Sequence, residues 1–190
     1  MNLTDGESRI MPQAGKSFEQ AYNAQAGVDV ETMLIVEEHI SQCPNDKKEI
    51  PHALKGLSLL PKDIGKVDTI LSDAGYFSES NVEAWEAEHV KPYIAIHRDY
   101  HNQPLKEQLP QPDPIPDDAD PVVRMRHRLH TLEGRKLYAK RKSTVEPVFG
   151  IIKHVMRFRR FLLRGLNAVR GEWDLVCIAW NLKRMHILKP

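Results

Sequence analysis

A single carboxylate lies in the most basic stretch of the chain. Residues 135–165 contain ten lysines or arginines and one acidic residue, Glu146. If the chain is helical from about Ser143, four residues form an apolar stripe at i, i+3, i+4 and i+7, namely Val148, Ile151, Ile152 and Val155. At about 100° per residue, Glu146 and Lys153 then share the opposite face. The spacing predicts a helix that packs on one side and presents a carboxylate and an ammonium group on the other.

The same spacing also allows a purely structural role for Glu146. Ser143-x-x-Glu146 fits a capping box, in which Glu146 would accept a hydrogen bond from the Ser143 backbone N–H. Pro147 favours a helix start here, since proline is tolerated in a first turn but costs ~3 kcal/mol in a helix interior. We therefore expect Tyr138 and Lys142 to lie on a preceding turn or kinked segment.

A second candidate carboxylate follows the best strand pattern in the sequence. Residues 67–72 are mostly β-branched or apolar and lead directly into Asp73, with Gly75 in the turn that follows. In α/β folds, site residues lie at the carboxyl ends of buried strands. Asp73 is therefore a candidate site residue, and the alternative is a cap of the next turn.

Two further aspartates lie at predicted turns. Residues 2–5 fit the end of a short strand, and Asp5 by itself is most economically a turn or capping residue. Residues 18–30 and 32–40 are predicted strands, joined tightly at residues 31–32 as an antiparallel pair. Asp29 ends the first of them and is most simply a hairpin residue.

The remaining elements are predicted from periodicity and helix signals. Residues 47–59 form an amphipathic helix with Pro51 near its start, Ser80-x-x-Glu83 caps a helix to residue 89, and residues 91–96 form a strand. Residues 122–137 form a helix rich in arginine and histidine. Gly171 opens a final helix with four residues on its core face: Trp173, Val176, Cys177 and Trp180.

Two segments differ from the rest in composition. Residues 99–121 hold six prolines, six acidic residues and one lysine, which predicts an exposed, partly disordered loop. Further on, arginines alternate with apolar residues: Arg157, Arg159, Arg160 and Arg164 with Phe158, Phe161, Leu162 and Leu163. This alternation suits phosphate contacts backed by packing, and the alternative is a solvated basic face.

The overall composition is that of a folded protein. The 190 residues are 41% hydrophobic, enough for one domain with a sizeable core. The net charge of +1 argues against a globally basic nucleic-acid-binding protein, but charge distribution decides binding more than the total does, and positive charge is concentrated in the last third of the chain. Cys43 and Cys177 lack metal-site spacing. With no long apolar run and no signal-peptide pattern, we expect a soluble cytoplasmic protein.

At this point the chain resembles a known family. Tyr138, Arg141, Glu146 and Lys153 are similar to the Tyr-Arg-Glu-Lys signature of DDE-type bacterial insertion-sequence transposases. The runs TVEPVFGIIK, FRRFLLRGL, SDAGY and FEQAYNAQAGVD also resemble one branch of that family and occur in the expected order. One departure is that four residues separate Arg141 from Glu146, where the commoner signature has three, so Arg141 or Lys142 can fill the basic role.

The resemblance implies an α/β fold of the RNase H-like, retroviral-integrase-like type, a mixed sheet flanked by helices. It implies one domain over residues 1–190, with residues 99–121 as an insertion loop. The segment NLTDGESRIM resembles the family segment in which the first strand ends at the first catalytic aspartate, which gives that role to Asp5, with Asp29 as the competitor. Because only four residues precede Asp5 here, the resemblance suggests a catalytic portion whose beginning is removed.

The implied chemistry is metal-dependent DNA cleavage and strand transfer. Asp5, Asp73 and Glu146 would be catalytic and would hold two Mg²⁺ or Mn²⁺ ions, which activate the attacking oxygen and stabilise the leaving one. The DNA-binding residues would be Tyr138, Arg141, Lys142, Lys153, Arg157, Arg159 and Arg160. The implied partners are transposon-end and target DNA, bound by a homodimer, with no membrane.

Two other interpretations remain open. The chain can be a non-enzymatic DNA-binding remnant that keeps the basic segment without a complete first strand. An unrelated phosphate-binding α/β protein is disfavoured, because no GxxxxGK[ST] loop is present.

Overall fold

The computed structural model describes residues 4–13, 17–97, 112–116 and 118–189, which form a mixed α/β protein. The strands are β1 (Arg9–Pro12), β2 (Phe18–Ala21), β3 (Asn23–Val28), β4 (Ile35–Ser41), β5 (Thr69–Ser72) and β6 (Lys91–Ile94). The helices are α1 (Ile50–Ser58), α2 (Glu79–Ala87), α3 (Pro121–His130), α4 (Leu132–His154) and α5 (Leu166–Leu188). Over these described ranges, no helix is long and apolar enough to span a membrane.

The chain divides into two compact units, Met1–Leu60 with Lys142–Pro190, and Pro61–Arg141. Within the described residues the strands pair two by two, β1 with β2, β3 with β4, and β5 with β6. The mixed α/β character agrees with the predicted fold class. The predicted continuous mixed sheet is not observed among the described residues, whose strands form two-stranded sheets.

The first unit contains two antiparallel hairpins. β1 pairs with β2, and β3 pairs with β4 in a register that sets Asn23 opposite Ser41. The strand predicted over residues 18–30 is divided at Tyr22 into β2 and β3. The Tyr22 hydroxyl donates a hydrogen bond to Asp5. The hairpin turn is also wider than predicted, because the Asp29 N–H donates to the Leu34 carbonyl across it.

Helix α5 supplies the apolar face of the first unit. Trp173, Cys177 and Trp180 are buried and cluster with Val148 and Ile152 of α4, as predicted for the final helix. The two indole N–H groups donate to the backbone carbonyls of Gln25 and Met33 of the β3–β4 hairpin, at 3.0 and 2.8 Å. These bonds fix the orientation of α5 on the hairpin.

The start of α5 differs from the prediction. The helix begins at Leu166, and Gly171 lies inside it. The turn before the helix is made by Gly165 at φ 83°, a left-handed conformation that glycine adopts without steric cost. Glycine marks the helix start as expected, but six residues earlier.

A buried polar cluster joins β4 to α1. The predicted helix over residues 47–59 is confirmed as α1, preceded by a short 3-10 turn and with Pro51 in its first turn. On β4, His39 bonds Glu37 at 2.7 Å and Glu49 at 2.9 Å. Gly56 permits this packing, because a Cβ there would lie 2.5 Å from Glu37 Cγ.

The second unit is built on a parallel strand pair. β5 and β6 pair with Thr69 opposite Lys91, and α2 makes the crossover that a parallel pair requires. Val82 and Trp85 are buried as predicted. The capping prediction at Ser80 is wrong, because Ser78 is in the extended conformation of an N-cap and accepts from the Asn81 N–H at 3.2 Å.

The helix predicted over residues 122–137 is divided into α3 and α4 at Thr131. Thr131 is extended, and its hydroxyl accepts a hydrogen bond from the Gly134 N–H at 3.0 Å. Arg124 and Arg128 of α3 each pair with Glu86 of α2 at 2.8 Å. The predicted loop over residues 99–121 lies mostly outside the described residues, and residues 112–116 form no helix or strand.

Candidate active site and basic surface

Glu146 lies on a longer helix than the sequence predicts. α4 runs without interruption from Leu132 to His154, with Pro147 inside it, so the expected start at Ser143 and its capping box are wrong. Pro147 cannot donate to the Ser143 carbonyl, and most residues around it, such as Thr144, Val148 and Gly150, have low helix propensity. Burial of Val148 and Ile152 on this helix offsets the local cost.

The two faces of α4 near Glu146 differ sharply. Thr144, Val148 and Ile152, spaced four residues apart, are at most 2% exposed. Glu146 and Lys153 are exposed, as predicted for the opposite face. The predicted fourth stripe residue, Val155, is 60% exposed because it lies beyond the helix end.

The continuous helix changes the setting of the other basic residues. Tyr138 and Lys142 belong to the same helix as Glu146, contrary to the predicted turn. Lys142 lies four residues before Glu146 and is exposed on the same face. Arg141 instead places its guanidinium 5.8 Å from the Tyr138 ring centroid. Helix geometry thus favours Lys142 as the basic residue on the Glu146 face.

Asp5 lies in a turn, and neither Thr4 nor Asp5 is part of a strand, contrary to the prediction. Its two carboxylate oxygens each accept from the Tyr22 hydroxyl at 2.9 Å. They also accept from the backbone N–H groups of Glu7 at 3.1 Å and Gly165 at 3.3 Å. Both oxygens are therefore engaged within the first unit.

These bonds change the ionisation of the pair. Burial would raise the pKa of Asp5, but the hydrogen bonds from Tyr22, Gly165 and Glu7 outweigh it and lower the pKa. Burial, together with the hydrogen bond and charge of Asp5, raises the pKa of Tyr22 to about 12. Asp5 is thus an ionised carboxylate and Tyr22 a neutral donor at neutral pH.

Asp73 directly follows β5, as predicted, and begins a 3-10 turn over residues 74–76. Its Oδ1 accepts from the Gly75 N–H at 2.8 Å, so the predicted capping alternative is also observed. The residue is exposed, and Oδ2 accepts no hydrogen bond from the described residues. That oxygen is available to an external ligand.

Asp29 is held as a hairpin residue. Its Oδ2 accepts from the Thr32 N–H at 2.7 Å and from the Thr32 hydroxyl at 2.5 Å. Burial would raise the pKa of Asp29, but the hydrogen bonds from Thr32 outweigh it and lower the pKa. The turn itself accounts for the presence of an aspartate here.

Residues 155–165, which we term the arginine loop, connect α4 to α5 without regular secondary structure. Its two phenylalanines pack together at 5.4 Å and lie 6.2 and 6.5 Å from the Trp173 ring. Its four arginines are exposed, and none forms an ion pair with a carboxylate of the described residues: Arg157, Arg159, Arg160 and Arg164. The two phenylalanines pack and the arginines are exposed, as predicted, but Leu162 and Leu163 are 74% and 52% exposed and do not supply the expected packing.

The sequence patterns assign no role to two residues, Tyr22 and Glu172, although Tyr22 lies within the FEQAYNAQAGVD run. Tyr22 holds Asp5, and Glu172 of α5 binds the arginine loop through its backbone N–H groups. Each contact joins residues from different elements, so no local spacing could reveal it.

The donor chemistry of the three predicted carboxylates suits a hard cation such as Mg²⁺. Asp73 and Glu146 are exposed, whereas the oxygens of Asp5 already accept hydrogen bonds. In the described part of the chain, no group of three or more His, Cys, Asp or Glu residues is arranged to hold a metal ion. The residue types fit the metal, and Asp5 would have to exchange hydrogen bonds for it.

The family model described as Transposase DDE domain matches residues 4–182. The chain therefore belongs to the transposase DDE domain family. Comparisons with curated proteins and with solved structures give no match.

Proposed function

We propose that this chain is the catalytic domain of an insertion-sequence transposase that cleaves DNA and transfers strands. The family match over residues 4–182 carries this proposal. We further propose that residues 1–190 form one RNase H-like domain, with residues 99–121 as an insertion loop.

Asp73 and Glu146, with Asp5 as the third carboxylate, are the proposed catalytic residues. They would hold two Mg²⁺ or Mn²⁺ ions. Such ions, when bound, activate the attacking oxygen and stabilise the leaving oxygen. The exposed positions of Asp73 and Glu146 support this assignment. Asp29 stays the alternative to Asp5.

The basic residues of α4 and the arginine loop are the proposed contacts to the DNA backbone. Lys142 and Lys153 flank Glu146 on one helix face and would bind phosphates beside it. Arg141 and Tyr138 support each other through their ring contact. Arg157, Arg159 and Arg160 are exposed and would contact further phosphates of the DNA. A homodimer would hold the two transposon ends together.

One observation favours a second candidate, a DNA-binding remnant without catalysis. The Asp5 oxygens are saturated by Tyr22, Glu7 and Gly165, so Asp5 already has a structural role. In this case the chain would keep the basic surface and lack a complete metal site.

The deciding experiment is nicking of a labelled duplex in Mg²⁺ or Mn²⁺ by the wild type, Asp73→Asn and Glu146→Gln. Asparagine is as good an N-cap as aspartate, so Asp73→Asn should keep the turn at Gly75 intact. Asp63→Asn and Glu83→Gln remove the same charges from exposed positions elsewhere and serve as matched controls.

We expect metal-dependent nicking that both site variants abolish and both controls keep. Nicking that persists in Asp73→Asn and Glu146→Gln would exclude these residues as the catalytic pair. DNA binding without any nicking by the wild type would establish the remnant instead.

A further inference from the structure

Glu172 binds the backbone of the arginine loop. Its carboxylate accepts from the Leu162 N–H at 2.9 and 3.0 Å and from the Leu163 N–H at 3.0 Å. Glu172 lies in the second turn of α5, beside the buried Trp173. A rigid helix therefore holds two successive amides of the loop.

The end of the loop is held in the same way. Gly165 N–H donates to Asp5 at 3.3 Å, and Leu166 N–H donates to Glu7 at 2.9 Å. Three carboxylates, those of Asp5, Glu7 and Glu172, thus accept hydrogen bonds from backbone N–H groups of residues 162–166. Charge-assisted hydrogen bonds of this kind are stronger than neutral ones, so they order the segment effectively.

These bonds account for how the arginines are displayed. The carboxylates bind the backbone amides, while the described residues show no ion pair between them and the loop arginines. The guanidinium groups stay available to an external anion. Ordering the loop before binding lowers the entropy cost when several arginines engage at once.

Electrostatics alone would argue against an acidic residue here. A carboxylate close to a phosphate-binding surface repels the ligand, so its removal should tighten DNA binding. A favourable effect of Glu172 on DNA binding must therefore come from the position it gives the loop. The two effects have opposite signs, which makes them separable.

We propose that Glu172 is a positioning residue for DNA binding, which sets the arginine loop so that its arginines meet the phosphate backbone together. This inference rests on the proposed DNA-binding function. It assigns Glu172 no contact with DNA and no part in the cleavage chemistry.

The test compares duplex binding by the wild type, Glu172→Ala, Glu172→Gln and Glu31→Ala over a range of salt concentrations. Glutamine keeps a side-chain oxygen that can accept from Leu162 or Leu163, and Glu31→Ala removes an exposed charge from the same unit. Hydrogen exchange at the Leu162 and Leu163 amides, measured without DNA, reports directly on the bonds to Glu172. Thermal unfolding verifies that each variant is folded.

We expect Glu172→Ala to weaken binding by about tenfold and to lower the salt slope by about 0.9 for each phosphate that the loop no longer neutralises. Glu172→Gln should bind more tightly than Glu172→Ala, close to the wild type, because its amide oxygen restores an acceptor for the loop. Glu31→Ala should leave the slope unchanged. Faster exchange at the two amides should accompany the weaker binding of Glu172→Ala.

Tighter or unchanged binding by a folded Glu172→Ala, with the wild-type slope, would overturn the positioning role and leave the proposed function intact. Equal weakening by Glu172→Gln and Glu172→Ala would also count against it, because the acceptor would then have no effect. Failure of the wild type to bind DNA at low salt would overturn the proposed function, together with this role.

Discussion

Substitution of His39 should cost the first unit a large part of its stability. Its ring bridges Glu37 Oε1 at 2.7 Å and Glu49 Oε2 at 2.9 Å. The glutamate side chains are only 4% and 1% exposed, and that of His39 is 15% exposed. Because both ring nitrogens face carboxylates, which only accept, His39 must be protonated to donate to both.

His39→Ala would leave two buried carboxylates without their shared cation. Removing one partner of a buried ion pair costs about 3–5 kcal/mol, a large part of a typical stability of about 5–15 kcal/mol. Ser41, which donates to Glu49 Oε1 at 2.7 Å, would satisfy only one of the oxygens left behind. We expect the free energy of unfolding to fall by about 3–5 kcal/mol at pH 6.

The effect should depend on pH in a defined direction. Burial alone would lower the pKa of His39, but the hydrogen bonds and charges of Glu37 and Glu49 outweigh it and raise the pKa. A raised histidine pKa gives stability that is fully present below the unfolded value of about 6.5. That contribution is lost as pH rises through the folded-state pKa.

Urea unfolding followed by circular dichroism, at pH 6 and at pH 9, measures both effects. His52→Ala is the matched control, since His52 is exposed and its ring lies 5.4 Å from that of His39. The difference between wild type and His39→Ala should shrink towards pH 9, and His52→Ala should change little at either pH. Equal destabilisation by the two substitutions, or a difference that does not vary with pH, would refute the reasoning.

Three other substitutions have defined outcomes. Gly134→Ala should destabilise by about 1–3 kcal/mol despite the helix preference of alanine, because its Cβ would lie 1.9 Å from the Arg128 carbonyl oxygen; an unchanged thermal midpoint would contradict this. Ile152→Ala should lower the free energy of unfolding by about 2–5 kcal/mol, because Ile152 is buried, whereas Val155→Ala should change it by no more than about 0.5 kcal/mol. Equal destabilisation of the two variants in urea unfolding would argue against the observed end of α4. Burial, with the hydrogen bond and charge of Asp174, raises the pKa of Glu38 to about 7. After allowance for solvent screening, Glu38→Gln should therefore stabilise by on the order of 1 kcal/mol above pH 7 and not at pH 4, which pH-dependent unfolding checks.

Local patterns in the sequence predicted the elements whose causes are local. The strand before Asp73, α1 with its proline, and the core face of α5 were each readable from a few neighbouring residues. The exposed face of Glu146 and Lys153 was also predicted, because helical spacing alone decides it. The resemblance to DDE transposases likewise rests on short runs of sequence, and the match over residues 4–182 confirms the DDE domain.

Element boundaries failed where a local signal competed with packing. Ser143 and Pro147 form a good helix start, yet the burial of Val148 and Ile152 keeps α4 continuous through both. At Ser78 and Ser80 two capping signals lie two residues apart, and backbone conformation selects the first. Such choices are decided by the free energy of the whole packed unit, which no short window contains.

Only the tertiary structure decided what the carboxylates touch. The sequence determined that Asp5, Glu37 and Glu172 carry carboxylates and that the arginine loop is positively charged. It could not show that Asp5 binds Tyr22, that Glu172 binds Leu162, or that Glu37 meets His39 beneath α1. These contacts are made by side chains whose position depends on how the elements pack, and a hydrogen bond forms only once folding has brought donor and acceptor to about 3 Å.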